Sequence, residues 1–302
     1  IMFDFIGKRN IFFTLSVIAI LVGLIATAVN GLQLGIDFTG GTILQINIGK
    51  SFDNDDIKDI LNKYNLEKES YIQKAGNNKN EVIIKTAYMP NTQRQKLVSD
   101  IVKKYDLKAK DVLSVENVGP TIGRDMKNNA ILAISIASVA MLVYIAIRFE
   151  LKFGVAAILA LIHDLLVTFS LYAVFKIPIS SSFVAVMLTI LGYSINDTIV
   201  IFDRIRENMK NYKKKMSLEE LINTSISQTL TRSINTSLTT LMTITLLYFI
   251  GPSSIKDFAL PLIVGVASGT YSSIFIASPL WYLLKRNEKG VKSQGKSGLR
   301  TT

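Results

Sequence analysis

Residues 153–175 read FGVAAILALIHDLLVTFSLYAVF, an apolar run of 23 residues that is interrupted only at its centre, by His163 and Asp164. A helix needs about 20 mostly apolar residues to cross the hydrocarbon core of a bilayer. The run therefore predicts a membrane-spanning helix. An ionisable side chain at that depth costs roughly 2.5–3.5 kcal/mol, so His163 and Asp164 are candidate functional residues.

Five further apolar runs flank this one in a chain of 302 residues, of which 49% are hydrophobic. They are Ile11–Val29, Ala130–Ile147, Ile177–Phe202, Ser233–Ile250 and Phe258–Leu284. A soluble domain could not bury so many long apolar segments. The sequence predicts a membrane protein with six transmembrane helices, numbered here as spans one to six.

The first run also has features of a secretory signal peptide. Lys8 and Arg9 precede it, and Ala26-Thr27-Ala28 resembles a cleavage site. The run is long for the apolar region of a signal peptide, so we expect a retained helix.

The distribution of Lys and Arg predicts the orientation, because short cytoplasmic loops are enriched in both. With the N-terminus inside, seventeen basic residues fall on the cytoplasmic side and two, Lys176 and Lys256, fall in short outer loops. Both termini are predicted to be cytoplasmic. This topology, with attraction to anionic membrane lipid, accounts for the net charge of +11 and argues against nucleic-acid binding.

Residues 31–129, between spans one and two, are predicted to form a small domain outside the cytoplasm. Alternating and helical apolar patterns predict strands and helices in the order βαββαβ. The predicted segments are Thr42–Ile48, Asp53–Tyr64, Ser70–Lys74, Glu81–Thr86, Asn91–Tyr105 and Val112–Asn117. This order is typical of a ferredoxin-like α+β sandwich with a four-stranded antiparallel sheet.

The remaining divisions are residues 1–30 with span one, 130–286 with spans two to six and a cytoplasmic loop at 204–228, and a disordered tail at 287–302. Ser217 and Glu220 match a capping box, so a helix is expected to start at Ser217 and run along the membrane surface towards span five. The external domain has no catalytic constellation, and the chain has no cysteine. We expect no enzyme activity, no cofactor and no metal site.

Two more ionisable residues, Asp197 in span four and Arg232 at the start of span five, lie at membrane depth. They could form a fixed ion pair that joins two helices, or a proton site whose charge state shifts them. His163 is the only histidine and could relay protons, or it could be a polar residue bonded within the bundle. His163 and Asp164 point about 100° apart on a helix and need not touch.

Small residues crowd the last two spans. Span five is rich in Ser and Thr, and span six contains Gly265-x-x-x-Gly269. Close helix packing is the simpler interpretation, and a polar path through the membrane is the alternative. We expect the glycine pair to dock against a similar six-helix half.

Several strings together resemble the SecF family of protein-export subunits, within the resistance-nodulation-division superfamily. They are residues 35–41 (GIDFTGG), 118–123 (VGPTIG), 163–164 (HD), 192–198 (GYSINDT), 202–208 (FDRIREN) and 231–241 (TRSINTSLTTL). The resemblance covers about residues 1–286.

The resemblance implies an inner-membrane subunit that works with SecD beside the SecYEG channel and YajC. Such subunits are thought to use the proton-motive force to draw an unfolded preprotein outward after the SecA ATPase has pushed it in. It also implies that Asp197 and Arg232 take part in proton conduction, with His163 and Asp164 as the next candidates. The turn that joins span one to the external domain would be formed by Gly35, Asp37, Gly40 and Gly41.

Two other functions fit parts of the pattern. A proton-driven exporter of lipids or small molecules from the same superfamily would usually have two six-span halves and two large external domains. A membrane scaffold would have no reason to tolerate buried charges. Both fit less well than an export subunit.

Overall fold

A computed structural model describes residues 3–67, 70–76, 79–212, 216–251 and 253–286. The predicted tail at 287–302, the basic residues Lys213–Lys215 and part of the predicted turn at Gly76–Asn78 lie outside these ranges. The chain divides into two compact units. One contains residues 34–132 with 178–181, and the other takes the rest of the described chain. The two units are described separately below.

Six helices in the described residues are long and apolar enough to cross a membrane, which confirms the six predicted spans. They are α1 (Arg9–Asn30), α5 (Pro120–Arg148), α6 (Leu151–Phe175), α7 (Ser181–Tyr212), α8 (Leu218–Ile250) and α9 (Ser253–Ser272). A π-helical turn, Ser273–Ala277, continues α9, and helix resumes to Arg286.

The helix α8 starts at the predicted capping residue. Ser217 caps its start by accepting a hydrogen bond from the Glu220 backbone N–H at 3.1 Å. From Leu218 the helix runs without interruption to Ile250, a length of about 50 Å. The helix that begins after Ser217 and span five are therefore one continuous helix.

Burial divides the six long helices into an inner and an outer set. Most of the buried positions lie on α6, α7 and α9, whereas α1, α5 and α8 expose large apolar side chains. At one end of the bundle Phe153 stacks on Trp281 with ring centroids 4.4 Å apart, and Phe202 packs against Phe153. The ionisable residues of α6 and α7 thus belong to the inner set.

The second unit contains a four-stranded sheet with short helices. Its elements are α2 (Ile36–Thr39), β1 (Gly41–Asn47), α3 (Asn54–Asn62), β2 (Tyr71–Ala75), β3 (Glu81–Thr86), α4 (Asn91–Tyr105) and β4 (Val112–Val118). The strand order is β2-β3-β1-β4, and every neighbouring pair is antiparallel. The predicted antiparallel sheet is confirmed, and α2 is an element that the sequence analysis missed.

Alternation along the strands places the core of this unit on one face of the sheet. Leu44 and Ile46 of β1 and Ile84 of β3 are fully buried and point to the same side. The same apolar cluster includes Ile57 of α3 and Leu97 of α4. Both helices therefore cover one face of the sheet.

Candidate functional site

His163 and Asp164 lie at the centre of α6, both buried. His163 Nδ1 is 3.0 Å from Asp164 Oδ1, although adjacent residues on a helix point in different directions. The two side chains bend towards each other and form a hydrogen-bonded pair, called here the His163–Asp164 pair. The sequence did not predict this contact.

Three serine hydroxyls surround the Asp164 carboxylate. Ser194 of α7 and Ser272 of α9 donate to Oδ2 at 2.5 and 2.6 Å, and Ser268 of α9 donates to Oδ1 at 2.7 Å. A fully buried carboxylate is tolerated only when hydrogen bonds replace its lost hydration. These contacts supply that replacement, and they tie α6, α7 and α9 to one side chain.

The two glycines of α9 make this approach possible. A Cβ at Gly265 would lie 2.0 Å from Ile190 Cδ1, and one at Gly269 would lie 3.0 Å from Ser194 Cβ. Because glycine has no side chain, α9 packs closely against α7 at these two positions, and Ser268 of α9 is thereby brought close to Asp164. The expectation that this glycine pair docks against a partner is therefore wrong, because both glycines face α7 of the same chain.

A hydrogen-bonded chain leads from the other side of His163 to α1. His163 Nε2 is 2.9 Å from Ser16 Oγ, and Ser16 Oγ is 3.2 Å from the Tyr271 hydroxyl. Tyr271 in turn donates to the Phe12 carbonyl at 2.8 Å. Ser16 and Tyr271 were not predicted as site residues, because no motif in the sequence relates α1 to α6.

Asp197 occupies a second buried polar site, between α7, α8 and α9. Its carboxylate accepts hydrogen bonds from Ser237 at 3.4 Å and from Thr270 at 3.3 Å. These two hydroxyls are 2.5 Å apart, and the Tyr193 hydroxyl donates to Ser237 at 3.2 Å. The hydroxyls of Tyr193, Ser237 and Thr270 thus lie in one cluster around Asp197, and each of them has a single hydrogen to donate.

Arg232 does not pair with Asp197. It lies on an exposed part of α8, and within the described residues no carboxylate oxygen comes within 4.0 Å of its guanidinium group. The buried positions of this stretch are Ser233 and Ser237, and Arg232 lies outside that row. A direct ion pair, one of the two alternatives that the sequence left open, is absent from the described residues, because chain connection alone does not fix which side of a helix faces its neighbour.

The charged residues at the end of α7 are accessible. Asp203 forms ion pairs with Arg148 at 2.8 Å and with Arg206 at 3.4 Å, and its side chain is 40% exposed. Arg204 bonds to Glu207 at 2.7 Å. These are surface ion pairs of small energetic weight.

The GIDFTGG segment forms a tight connection inside the sheet-containing unit. The Asp37 carboxylate accepts hydrogen bonds from the Ser181 backbone N–H at 2.7 Å and from its hydroxyl at 2.5 Å. Gly40 and Gly41 have φ of 75° and 147°, values that favour glycine. Gly35 N–H donates to the Ile179 carbonyl at 2.8 Å. Asp37 therefore fixes residue 181, a partner the sequence did not reveal.

An apolar groove of about 620 Å³ opens between the N-terminal segment, α8 and α9. Its lining residues include Ser237 and Thr270, which bond to Asp197, and Tyr271, which bonds to Ser16. Among the described residues, no group of three or more His, Asp or Glu side chains is placed to hold a metal ion. The buried groups of the two sites that can bind or release a proton are the Asp197 carboxyl at one and the His163–Asp164 pair at the other.

Comparison with known families places these features in context. The family described as "Protein export membrane protein SecD/SecF, C-terminal" matches residues 97–287, and the "SecD/SecF GG Motif" matches residues 25–51. The protein translocase subunit SecF of Sebaldella termitidis is 38% identical over 290 residues, which cover 95% of this chain and 93% of that protein.

Two longer proteins also match most of this chain. The protein translocase subunit SecDF of Bacillus subtilis is 35% identical and matches 94% of this chain. The crystal structure of SecDF, a translocon-associated membrane protein from Thermus thermophilus, is 36% identical with a TM-score of 0.85 over 95% of this chain. The chain spans 38% and 39% of the lengths of these two proteins. On these matches, the chain is a multi-pass membrane protein that belongs to the SecF group of the SecD/SecF family of protein-export membrane proteins.

Proposed function

We propose that this chain is an auxiliary subunit of the Sec translocase which, together with SecD, uses the proton-motive force to promote export of unfolded preproteins through the SecYEG channel. Membership of the SecF group supports the role in export. The dependence on protons is inferred from the buried acids. Following the family resemblance, we expect SecA to drive the inward step and YajC and membrane lipid to accompany the complex.

The observation that carries the proton-coupling proposal is the environment of Asp197. Its carboxylate is 3% exposed and bonds to hydroxyls of α8 and α9 at long distances, with no cation within 4.0 Å in the described residues. A buried carboxylate held this weakly is costly when ionised. A change of its protonation state alters the contacts that hold three helices together, so proton binding is translated into helix movement.

The available energy is sufficient for such a movement. The membrane potential is worth about 2.3 kcal/mol per charge per 100 mV. Asp197 would take a proton from one side of the membrane and release it to the other, and the His163–Asp164 pair is the second site where a proton can bind. Both sites lie in the inner helices, where each contacts more than one neighbour.

The exposed position of Arg232 supports a partner at α8. A charged side chain facing lipid tails is costly, so we infer that this side of α8 faces a polar or anionic surface of SecD. We infer that the part of the SecDF proteins outside the match to this chain contains SecD, which would supply the partner surface. Spans four to six would thus lie near the interface.

The cellular arrangement follows from the charge distribution. We infer a position in the inner membrane with both termini in the cytoplasm, and place the unit of α2 to β4 outside the cytoplasm between spans one and two. We infer a ferredoxin-like sandwich for this unit, which is supported by the strand order β2-β3-β1-β4 and the two helices on one face. We retain the divisions 1–30, 31–129, 130–286 and 287–302 as the domain proposal.

The proposed function is tested with inverted membrane vesicles that contain SecYEG, SecD and SecA, with or without this chain. Translocation of a preprotein is measured with a proton-motive force and after its collapse by an uncoupler. We expect the chain to increase translocation only when the force is present. An equal increase after addition of the uncoupler would refute proton coupling and leave a role in export intact.

A further inference from the structure

The hydrogen bonds around His163 can be counted proton by proton. Four contacts run in series, from the Phe12 carbonyl to Tyr271, from Tyr271 to Ser16, from Ser16 to His163 Nε2, and from His163 Nδ1 to Asp164. Each contact requires one hydrogen. The Tyr271 and Ser16 hydroxyls supply one each, so the His163–Asp164 pair must supply two.

The direction of each bond follows from the carbonyl at the end of the series. A carbonyl only accepts, so the single Tyr271 hydrogen is donated to Phe12. The Tyr271 oxygen must then accept from Ser16, which uses the only hydrogen of that hydroxyl. His163 Nε2 is therefore the donor towards Ser16.

Two arrangements satisfy this requirement, and they contain the same number of protons. Either an imidazolium donates from both nitrogens to an Asp164 carboxylate, or a neutral imidazole with hydrogen on Nε2 accepts from a protonated Asp164. In both, the pair has a net charge of zero. The form with one proton fewer, a carboxylate beside a neutral imidazole, is negatively charged and leaves one of the four contacts without a hydrogen.

Burial favours the neutral pair as well. Asp164 is fully buried and His163 is 7% exposed, and a net charge at such a site is costly. The groups that face the pair are hydroxyls, namely Ser16 from α1, Ser194 from α7, and Ser268, Tyr271 and Ser272 from α9. Tyr271 is the titratable one among them. Asp197, on the same helix as Ser194, bonds to hydroxyls of α8 and α9 and not to the pair.

We propose that His163 and Asp164 store one shared proton as a net-neutral pair, and that Ser16 and Tyr271 are positioning residues that hold this proton at the pair. Tyr271 is also one of the residues that line the apolar groove. Any role of the shared proton in export rests on the proposed function. The protonation state of the His163–Asp164 pair does not depend on that function.

His163 is the only histidine in the chain, which makes a direct test possible. The full chain, purified without a histidine tag, is labelled with ¹⁵N-histidine, and solid-state NMR in lipid bilayers reports the protonation of both ring nitrogens. At neutral pH we expect a hydrogen on Nε2 together with either a second hydrogen on Nδ1 or a protonated Asp164 carboxyl, which ¹³C labelling of aspartate reports. A spectrum with hydrogen on Nδ1 alone, or with hydrogen on Nε2 alone beside an ionised Asp164, would overturn the proposal.

The positioning role is tested by Tyr271→Phe. Loss of the hydroxyl frees the Ser16 hydrogen to point at Nε2, so we expect the Nε2–H signal to be reduced in favour of Nδ1–H. Tyr172→Phe is the matched control, because the buried Tyr172 hydroxyl on α6 has no hydrogen-bond partner within the described structure, and this variant should retain the original spectrum. An unchanged Nε2–H signal in Tyr271→Phe would refute the positioning role.

Failure of this inference and failure of the proposed function give different results. A protonated Nε2 in a chain that does not respond to the proton-motive force would refute proton coupling alone. Hydrogen on Nδ1 alone, in a chain that does respond, would refute the stored proton alone.

Discussion

Ser237 on α8 donates a hydrogen bond to the carboxylate of Asp197 on α7, with the two oxygens 3.4 Å apart. The same hydroxyl lies 2.8 Å from the Ser233 carbonyl of its own helix and 2.5 Å from Thr270 of α9. One hydroxyl hydrogen therefore has three competing acceptors. The protonation state of Asp197 determines which acceptor receives the Ser237 hydrogen. This links the charge of Asp197 to the packing of α8 and α9.

Replacement of this hydroxyl should weaken proton-dependent export more than stability. We expect Ser237→Ala to fold, to lose about 1 kcal/mol of stability, and to reduce proton-stimulated translocation several-fold. Ser227→Ala is the control on the same helix, because its hydroxyl donates to the Asn223 backbone carbonyl and not to an acid. Equal translocation by the two variants would show that the Ser237 contact is dispensable.

The close packing of α9 on α7 predicts opposite effects for two glycine substitutions. Gly265→Ala would place a Cβ 2.0 Å from Ile190 Cδ1, so we expect it to destabilise the protein by about 1–3 kcal/mol. Gly192→Ala on α7 meets no atom within 4 Å and should be neutral or stabilising by about 0.5–1 kcal/mol. Thermal unfolding in detergent measures both, and a stable Gly265→Ala would contradict the packing described here.

Asp4, which precedes α1, should make the attachment of the N-terminal segment sensitive to acid. Hydrogen bonds from the Gly7 backbone N–H and the Asn223 amide lower the pKa of Asp4. A lowered pKa in the folded state stabilises the fold above the unfolded pKa of about 4, and this stability is lost as the pH falls through the folded value. Asp4→Ala should lower the melting temperature at neutral pH, and the difference should shrink near pH 3. If the difference in melting temperature between the two proteins does not change with pH, the ionised Asp4 carboxylate is not the source of this stability.

The proposed topology can be mapped directly, because the chain contains no cysteine. Two exposed asparagines serve as a matched pair, Asn62 at the end of α3 and Asn211 near the end of α7. Asn62→Cys should react with a membrane-impermeant thiol reagent added to cells whose inner membrane is accessible from outside, and Asn211→Cys should react only after lysis. The reverse pattern would invert the orientation.

Properties that depend on periodicity and composition could be predicted from the sequence. The six spans follow from long apolar runs, and the βαββαβ order follows from alternation over segments such as Thr42–Ile48. The depth of Asp164 and Asp197 followed from their position within those runs. Each of these features is local, so one stretch of sequence contains the information.

Contacts between helices could not be predicted, because they depend on rotation and close approach. The proximity of Ser16 to His163 joins residues that lie 147 positions apart. The π-helical turn after Ser272 changes the helical phase without a distinct motif. Arg232 was a candidate ion-pair partner of Asp197 because their helices are consecutive in the chain. In the structure Arg232 is exposed on α8, and the hydrogen-bond donors to Asp197 are hydroxyl groups.

The central claim is that Asp197 couples proton movement to export, and preprotein translocation into inverted vesicles with an imposed proton-motive force tests it most directly. Asp197→Asn keeps the shape of the side chain but cannot ionise, so we expect it to lose the proton-stimulated increment while ATP-driven translocation by SecA persists. Asp203→Asn, a half-exposed acid on the same helix, should retain the full increment. If Asp197→Asn is stimulated as strongly as Asp203→Asn, Asp197 is a structural residue and the account is contradicted.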